Sequence, residues 1–150
     1  MVGSPGVDGL GAARLLAIMT WPVLHISRSI EASVSDVVAI AGDPSQLPRW
    51  ASGLSSGIRQ QDGRWLADSP MGAVEIRFVG PVELGILDHD VTLPDGSVTH
   101  NPLRVLPNDG GSEVVFSLFR KPGVTDAELD EDAATIREDL DRLAGLVKRG

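Results

Sequence analysis

Apolar and polar residues follow regular spacings along most of the chain, and the spacings change from strand-like to helical in a definite order. A first strand is predicted at Val23–Ile30, where every second residue is apolar over most of the segment. Ser33 then offers an N-cap for a short helix, and Asp43-Pro44 ends that helix because the residue before a proline avoids the helical conformation. A second short helical turn at 45–51 carries Trp50.

The middle of the chain predicts a meander of strands separated by turns. Asp62-Gly63 favours the positive φ angles of a tight hairpin. The segment 74–78 alternates apolar and charged residues, which is typical of a half-buried strand. Further turns are predicted at Pro94-Asp95-Gly96 and at 107–111, and a last strand follows at 113–120.

The C-terminal segment predicts a long amphipathic helix. Thr125 and Glu128 have the spacing of a capping box, and Val124 and Leu129 that of a hydrophobic staple. Apolar residues then recur three and four positions apart at Leu129, Ala133, Ile136, Leu140, Leu143 and Val147. A helix with one apolar stripe must bury it, and the sheet is the surface available.

Composition narrows the class of protein. The 150 residues suit one folded domain, predicted at 22–150, after a Gly-rich flexible arm at 1–21. The net charge of −8 and the scarcity of aromatic residues argue against nucleic acid and anionic membrane surfaces as partners. No apolar run is long enough to span a membrane. The absence of cysteine fits a reducing compartment, so a cytoplasmic location is expected.

The order of elements and several motifs resemble a known superfamily. The segment Ile30-Glu31-Ala32 before the first helix, and Asp43-Pro44-x-x-Leu47-Pro48-x-Trp50 at the helix pair, are similar to the START-like (SRPBCC) group, which includes polyketide cyclase/dehydrase-like proteins. The resemblance implies an α+β helix-grip fold, with a curved antiparallel sheet of about six or seven strands around the C-terminal helix. It also implies a cavity for lipids, sterols, polyketides or similar molecules. It assigns no activity, since some members transform their ligand and many only carry it.

The segment Asp88-His89-Asp90 contains the candidate for polar chemistry. Successive strand residues point to opposite faces, so His89 is predicted to face inward with Val91, and both aspartates to face water. If the turn at Pro94 closes with a two- or four-residue loop, His89, His100 and Arg104 line one cavity wall. A three-residue loop instead places Asn101 opposite His89. We take the first register as the prediction.

Two interpretations of this polar group stay open. In the functional one, His89 shuttles a proton and Arg104 holds a carboxylate or enolate oxygen. In the structural one, the histidine bonds a backbone carbonyl and the arginine pairs with a surface acid. For Trp50, the alternatives are a gate at the pocket mouth and simple packing on the sheet. The predicted ligand-contacting residues are Trp50, Ile76, Phe78, His89, Val91, His100, Arg104, Phe116, Ile136 and Leu140.

These observations leave three functional hypotheses. The first is a module that binds a small hydrophobic molecule between the sheet and the C-terminal helix. The second is an enzyme of the cyclase or dehydratase type that uses His89 and Arg104. The third is a protein-interaction domain, as in START-like chaperone cofactors. The first is preferred because no complete catalytic set can be assembled; no cofactor is implied, and three histidines without a second ligand spacing predict no metal site.

Overall fold

A computed structural model describes residues 18–149 of the chain, and within this range the α+β architecture is confirmed. The predicted arm at 1–21 lies largely outside the described residues. Three 3₁₀ turns, at Pro44–Arg49, Ser52–Leu54 and Val82–Leu84, accompany the helices and strands. The helices are α1 (Val34–Ala41) and α2 (Asp126–Arg149). The strands are β1 (Val23–Ile30), β2 (Ile58–Gln61), β3 (Arg64–Ser69), β4 (Gly72–Phe78), β5 (His89–Thr92), β6 (Val98–Asn101), β7 (Leu103–Asn108) and β8 (Gly111–Phe119).

The strands are all antiparallel and form two sheets, which meet where β6 passes into β7. One sheet has the order β1-β8-β7 and the other β2-β3-β4-β5-β6. Only Pro102 separates β6 from β7, and a proline cannot donate to a sheet ladder. The Pro102 carbonyl still accepts from Ser117 N at 3.1 Å, and Leu87 N donates to Leu103 O at 2.8 Å. The pairing therefore continues across Pro102 and joins the two sheets there.

The hairpin between β5 and β6 has the alternative register. Thr92 pairs with Val98 and His89 with Asn101, and Leu93 N donates to Ser97 O at 2.8 Å. The loop therefore contains three residues, and the register that we took as the prediction is wrong. The cause lies at Gly96, whose φ of +88° supplies the left-handed residue that closes a three-residue loop.

The short helices form by the predicted signals, with one difference in type. The Ser33 hydroxyl accepts from Asp36 N at 3.1 Å and caps α1. The second segment is a 3₁₀ helix at Pro44–Arg49 rather than a turn at 45–51, capped by Asp43, whose carboxylate accepts from Ser45 N at 3.0 Å. Pro48 lies inside it and donates no hydrogen bond, which suits a short 3₁₀ turn better than an α-helix.

Helix α2 begins with the predicted capping box and buries most of the predicted stripe, while Leu129 and Ile136 are half-buried. Thr125 N donates to Glu128 Oε1 at 3.0 Å, and Glu128 N donates to Thr125 Oγ1 at 3.1 Å. The helix packs against β1, α1 and β8. Its buried residues are Ala133, Leu140, Leu143, Ala144 and Val147. None of the helices in the described part of the chain is both long and apolar enough to cross a membrane.

Candidate ligand-binding site

A cavity of about 310 Å³ lies between the inner face of the sheet, the short helices and α2. Its wall is mostly apolar, and neither lysine nor arginine occurs among the described residues that line it. The lining residues are Ala41, Leu47, Trp50, Ala51, Gly53, Leu54, Ile76, Phe78, His89, Val91, Asn101, Leu103, Phe116, Thr135, Ile136, Asp139 and Leu140. The C-terminal helix therefore lies across the sheet without filling the space beneath it.

Most of the predicted ligand-contacting residues meet in this wall. They are Trp50, Ile76, Phe78, His89, Val91, Phe116, Ile136 and Leu140. That these side chains contact a ligand remains a prediction. The alternation rule for strands found the sheet residues, and the three-and-four spacing found those of the helix.

His100 and Arg104 do not line the cavity, which corrects their predicted position. Because the hairpin register is shifted by one residue, His100 pairs with Asp90 instead of Val91 and lies on the outer face. Its Nδ1 donates to Asp90 Oδ1 at 2.6 Å. Arg104 forms its isolated bridge with Ile86 instead of Leu87. The two residues therefore lie on the other face of the sheet from His89.

Asp88 is buried, contrary to the prediction that it faces water. The residue is 8% exposed, and its carboxylate accepts from Arg104 Nε at 2.9 Å, Arg104 Nη2 at 2.8 Å and Leu103 N at 3.0 Å. The hydrogen bond from Arg104 is the main cause that lowers the pKa of Asp88, against the opposing effect of burial. Arg104 therefore pairs with an acid outside the cavity, as in the structural interpretation, but this acid is buried rather than at the surface.

The polar part of the cavity wall is a row across three strands. Phe78 on β4 pairs with His89 on β5, which pairs with Asn101 on β6. The rings of Phe78 and His89 meet edge to face, with centroids 5.7 Å apart and planes inclined by 68°. Nδ1 of His89 lies 2.9 Å from Leu87 O, and a carbonyl oxygen only accepts, so Nδ1 carries the proton.

Two side-chain groups of this row have no hydrogen-bond partner among the described residues. His89 Nε2 and the Asn101 amide form no hydrogen bond with any described residue, neither is fully buried, and both residues line the cavity. Burial lowers the pKa of His89, an effect that the bond to Leu87 and the charge of Asp88 oppose only in part. At neutral pH the imidazole is therefore uncharged, and Nε2 carries a free lone pair on a residue that lines the cavity.

Trp50 lies in the wall beside the rim of the cavity. It is 6% exposed, and its Nε1 is a fully buried donor without a partner among the residues described. Its carbonyl accepts from Arg142 Nε at 3.2 Å. Asp139 accepts from Ser52 N at 3.1 Å and from Arg142, so its carboxylate links the 3₁₀ turn at Ser52–Leu54 to α2.

Sequence reasoning missed several lining residues. Asn101 was found only as the alternative partner of His89, because its position depends on a loop length that the motif Pro94-Asp95-Gly96 does not determine. Thr135 and Asp139 precede Ile136 and Leu140 by one position each and flank the apolar stripe. That flanking position was the available signal, but on an acidic helix it also fits a solvated face.

Comparison with solved structures shows the fold. A Bacillus thuringiensis protein of uncharacterised function has a TM-score of 0.67 and 18% identity, covering 84% of this chain and 98% of that one. Ara h 8.0201 has a TM-score of 0.62 and 13% identity, covering 86% and 99%. DynU16, from the dynemicin biosynthetic locus, has a TM-score of 0.62 and 18% identity; the match covers 84% of this chain and 47% of DynU16, so this chain spans about half of its length.

Sequence comparison adds no family. No family model matches the chain, and none of the curated proteins matches it. The identities to the solved structures are too low to carry an activity, and they support the architecture alone. The chain therefore has the helix-grip fold, and its function must be argued from the cavity.

Proposed function

We propose that this protein is a START-like binding module that holds a small hydrophobic molecule between the sheet and α2. The observation that carries the proposal is the apolar cavity of about 310 Å³, since protein interiors normally pack with few voids larger than a water molecule. The space lies at the lower end of the range of ligand pockets, about 300–1,000 Å³.

The size of the cavity limits the guest. A guest has to match a cavity of about 310 Å³. A compact bicyclic or small tricyclic molecule fits this volume, whereas a long-chain diacyl lipid does not. Phe78, Phe116 and Trp50 add aromatic surface against which flat rings pack well.

The two other hypotheses have less support. Convergence of His89 and Arg104 on one point of the cavity would favour the enzyme hypothesis, but Arg104 is instead bound to Asp88 outside the cavity. A small, filled interior beside an exposed apolar patch would favour the interaction-domain hypothesis, but the interior holds an open space. A binding role needs only the apolar wall and a few polar groups.

The proposal is tested with an apolar probe, 2-methylnaphthalene, and a matched pair of valine variants. Val91 lines the cavity, and Val98, on the neighbouring strand, is 53% exposed. The wild-type protein should bind the probe saturably in an NMR titration. Val91→Phe should weaken binding by about tenfold or more because the new ring occupies the space, and Val98→Phe should leave it unchanged. Absence of saturable binding to the wild type, or equal affinity in Val91→Phe, would contradict the proposal.

A further inference from the structure

We infer that the guest is an uncharged molecule with a hydroxyl group, which donates to His89 Nε2 and accepts from the Asn101 amide. The inference rests on the proposed binding function and adds the chemical class of the ligand. It follows from which polar atoms the wall offers, which charges it lacks, and where the two polar side chains lie relative to each other.

His89 offers an acceptor to the cavity. Its Nδ1 proton is committed to Leu87 O at 2.9 Å, so the free nitrogen of the neutral ring can only accept. The edge-to-face contact with Phe78 restricts rotation of the ring. A guest group with an N–H or O–H can donate a hydrogen bond to Nε2. A guest atom with only lone pairs would be repelled by the lone pair of Nε2.

Asn101 offers the complementary donor beside that acceptor. The two residues are direct cross-strand partners, which brings their Cβ atoms to about 5 Å on one face of the sheet. The side-chain amide has two N–H groups and no hydrogen bond with any residue in the described part of the chain. One hydroxyl group, which both donates and accepts, satisfies both side chains together.

The remaining charges of the site disfavour an anion. The charged side chain among the described lining residues is Asp139, at the rim, and its negative charge is paired with Arg142. Among the described residues that line the wall, no cation offsets the cost of removing a carboxylate from water. The protein as a whole carries a net charge of −8. A fatty acid or another carboxylate is therefore a poor guest.

Three bicyclic probes of similar shape separate these possibilities near neutral pH. The probes are 2-naphthol, 2-methylnaphthalene and 2-naphthoate, and their affinities are measured by NMR titration. We expect 2-naphthol to bind about five- to tenfold more tightly than 2-methylnaphthalene, the factor for one good hydrogen bond. We expect 2-naphthoate to bind about tenfold or more weakly than 2-methylnaphthalene, because its charge is desolvated without a partner.

Variants assign the preference to the named atoms. His89→Phe and Asn101→Leu should each remove most of the advantage of 2-naphthol over 2-methylnaphthalene. His100→Phe is the matched control, since His100 pairs with Asp90 outside the cavity and should change no affinity. If His89→Phe does not fold, the affinities of the three probes for the wild type and for Asn101→Leu still test the inference.

The outcomes also distinguish this inference from the proposed function. If no probe binds saturably, the binding function itself fails. If 2-methylnaphthalene binds and 2-naphthol has no advantage, or 2-naphthoate binds best, the binding function stands and the hydroxyl inference is overturned. An advantage of 2-naphthol that persists in both His89→Phe and Asn101→Leu likewise overturns it.

Discussion

At the scale of single residues, Asp88 shows how one buried carboxylate joins two parts of the sheet. It accepts from Leu103 N, next to Pro102, and from Nε and Nη2 of Arg104. Arg104 keeps half of its side chain exposed to solvent, whereas Asp88 is nearly covered. The carboxylate is therefore the structurally critical partner of this pair, because its removal leaves a buried N–H group without an acceptor.

Substitution of each partner tests that asymmetry. Asp88→Ala should lower the free energy of unfolding by about 1–3 kcal/mol, because Leu103 N and the guanidinium both lose their acceptor. Arg104→Ala should lower it by less than about 1 kcal/mol, because the arginine is half exposed. Urea unfolding of both variants measures the difference. Equal costs, or a larger cost for Arg104→Ala, would contradict this account.

The pKa of Asp88 gives its substitution a pH dependence. A carboxylate whose pKa is lowered in the folded state stabilises the protein above its ordinary pKa of 3.8. That stability is lost as the pH falls from about this value through the lower folded pKa. Acid unfolding of Asp88→Asn should therefore be less steep than that of the wild type in this range. An identical acid transition in both proteins would exclude Asp88 as a contributor.

The lowered pKa of His89 leads to a second prediction of pH-dependent stability, in a higher pH range. Burial lowers its pKa from the ordinary value of 6.5, so between 6.5 and the folded value the unfolded chain binds a proton that the folded chain does not. Stability should therefore fall as the pH falls through this window, by up to about 1.4 kcal/mol per pH unit. The midpoint of urea unfolding, measured across the window, should show this slope in the wild type and in His100→Phe. His89→Phe should lack it, and the same slope in His89→Phe would contradict the burial of a neutral imidazole.

At the scale of elements, the pairing of β7 with the chain before β5 depends on a close backbone approach that only glycine allows. Gly85 follows the 3₁₀ turn at Val82–Leu84 with a φ of +82°, and a Cβ there would lie 2.4 Å from Val105 O. Its carbonyl accepts from Val105 N at 2.8 Å, which continues the pairing between the chain before β5 and β7. Gly96 has a similar φ of +88°, but a Cβ there would meet no atom within 4 Å.

The two glycines form a matched pair for a stability test. Gly96→Ala should cost about 1 kcal/mol, the strain of a left-handed alanine. Gly85→Ala should cost about 3 kcal/mol or more, because the same strain is joined by displacement of the β7 backbone. Thermal unfolding of both variants measures the difference. If the two substitutions cost the same, the close approach to β7 does not constrain the fold.

Elements whose signals are local could be predicted from the sequence, and those that depend on non-local geometry could not. The capping box of Thr125 and Glu128 and the turn at Asp62-Gly63 depend only on neighbouring residues, and both form as predicted. The register of β5 against β6 depends on the length of the loop that Gly96 closes. The sequence Pro94-Asp95-Gly96 is compatible with several loop lengths. That one-residue shift moved His100 and Arg104 out of the predicted site.

Burial of Asp88 could not be predicted for a related reason. Strand periodicity gives the face on which a side chain lies, and it placed Asp88 correctly on the face away from His89. It does not show what else covers that face. Arg104 and the Leu103 backbone cover Asp88 because the antiparallel pairing continues past Pro102, which places β7 alongside the segment before β5.

At the scale of the whole molecule, the cavity is a place where packing has been left incomplete. A substitution that fills it should therefore stabilise the fold while it removes binding. We expect Val91→Phe to raise the free energy of unfolding by about 0.5–2 kcal/mol, the usual gain of a filled cavity. Thermal unfolding measures it, with Val98→Phe as the exposed control. A loss of more than about 1 kcal/mol would mean that the space near Val91 is already closely packed.

The most direct test of the central claim is a methyl NMR titration of the wild-type protein with 2-methylnaphthalene. If the space between sheet and α2 admits a guest, methyl signals of Ile76, Ile136 and Leu140 should shift saturably, through ring currents of the bound probe. Signals of Leu84 and Leu106, which are exposed, should not move. Shifts confined to the exposed methyls, or no saturable shift, would contradict a cavity that binds small hydrophobic molecules.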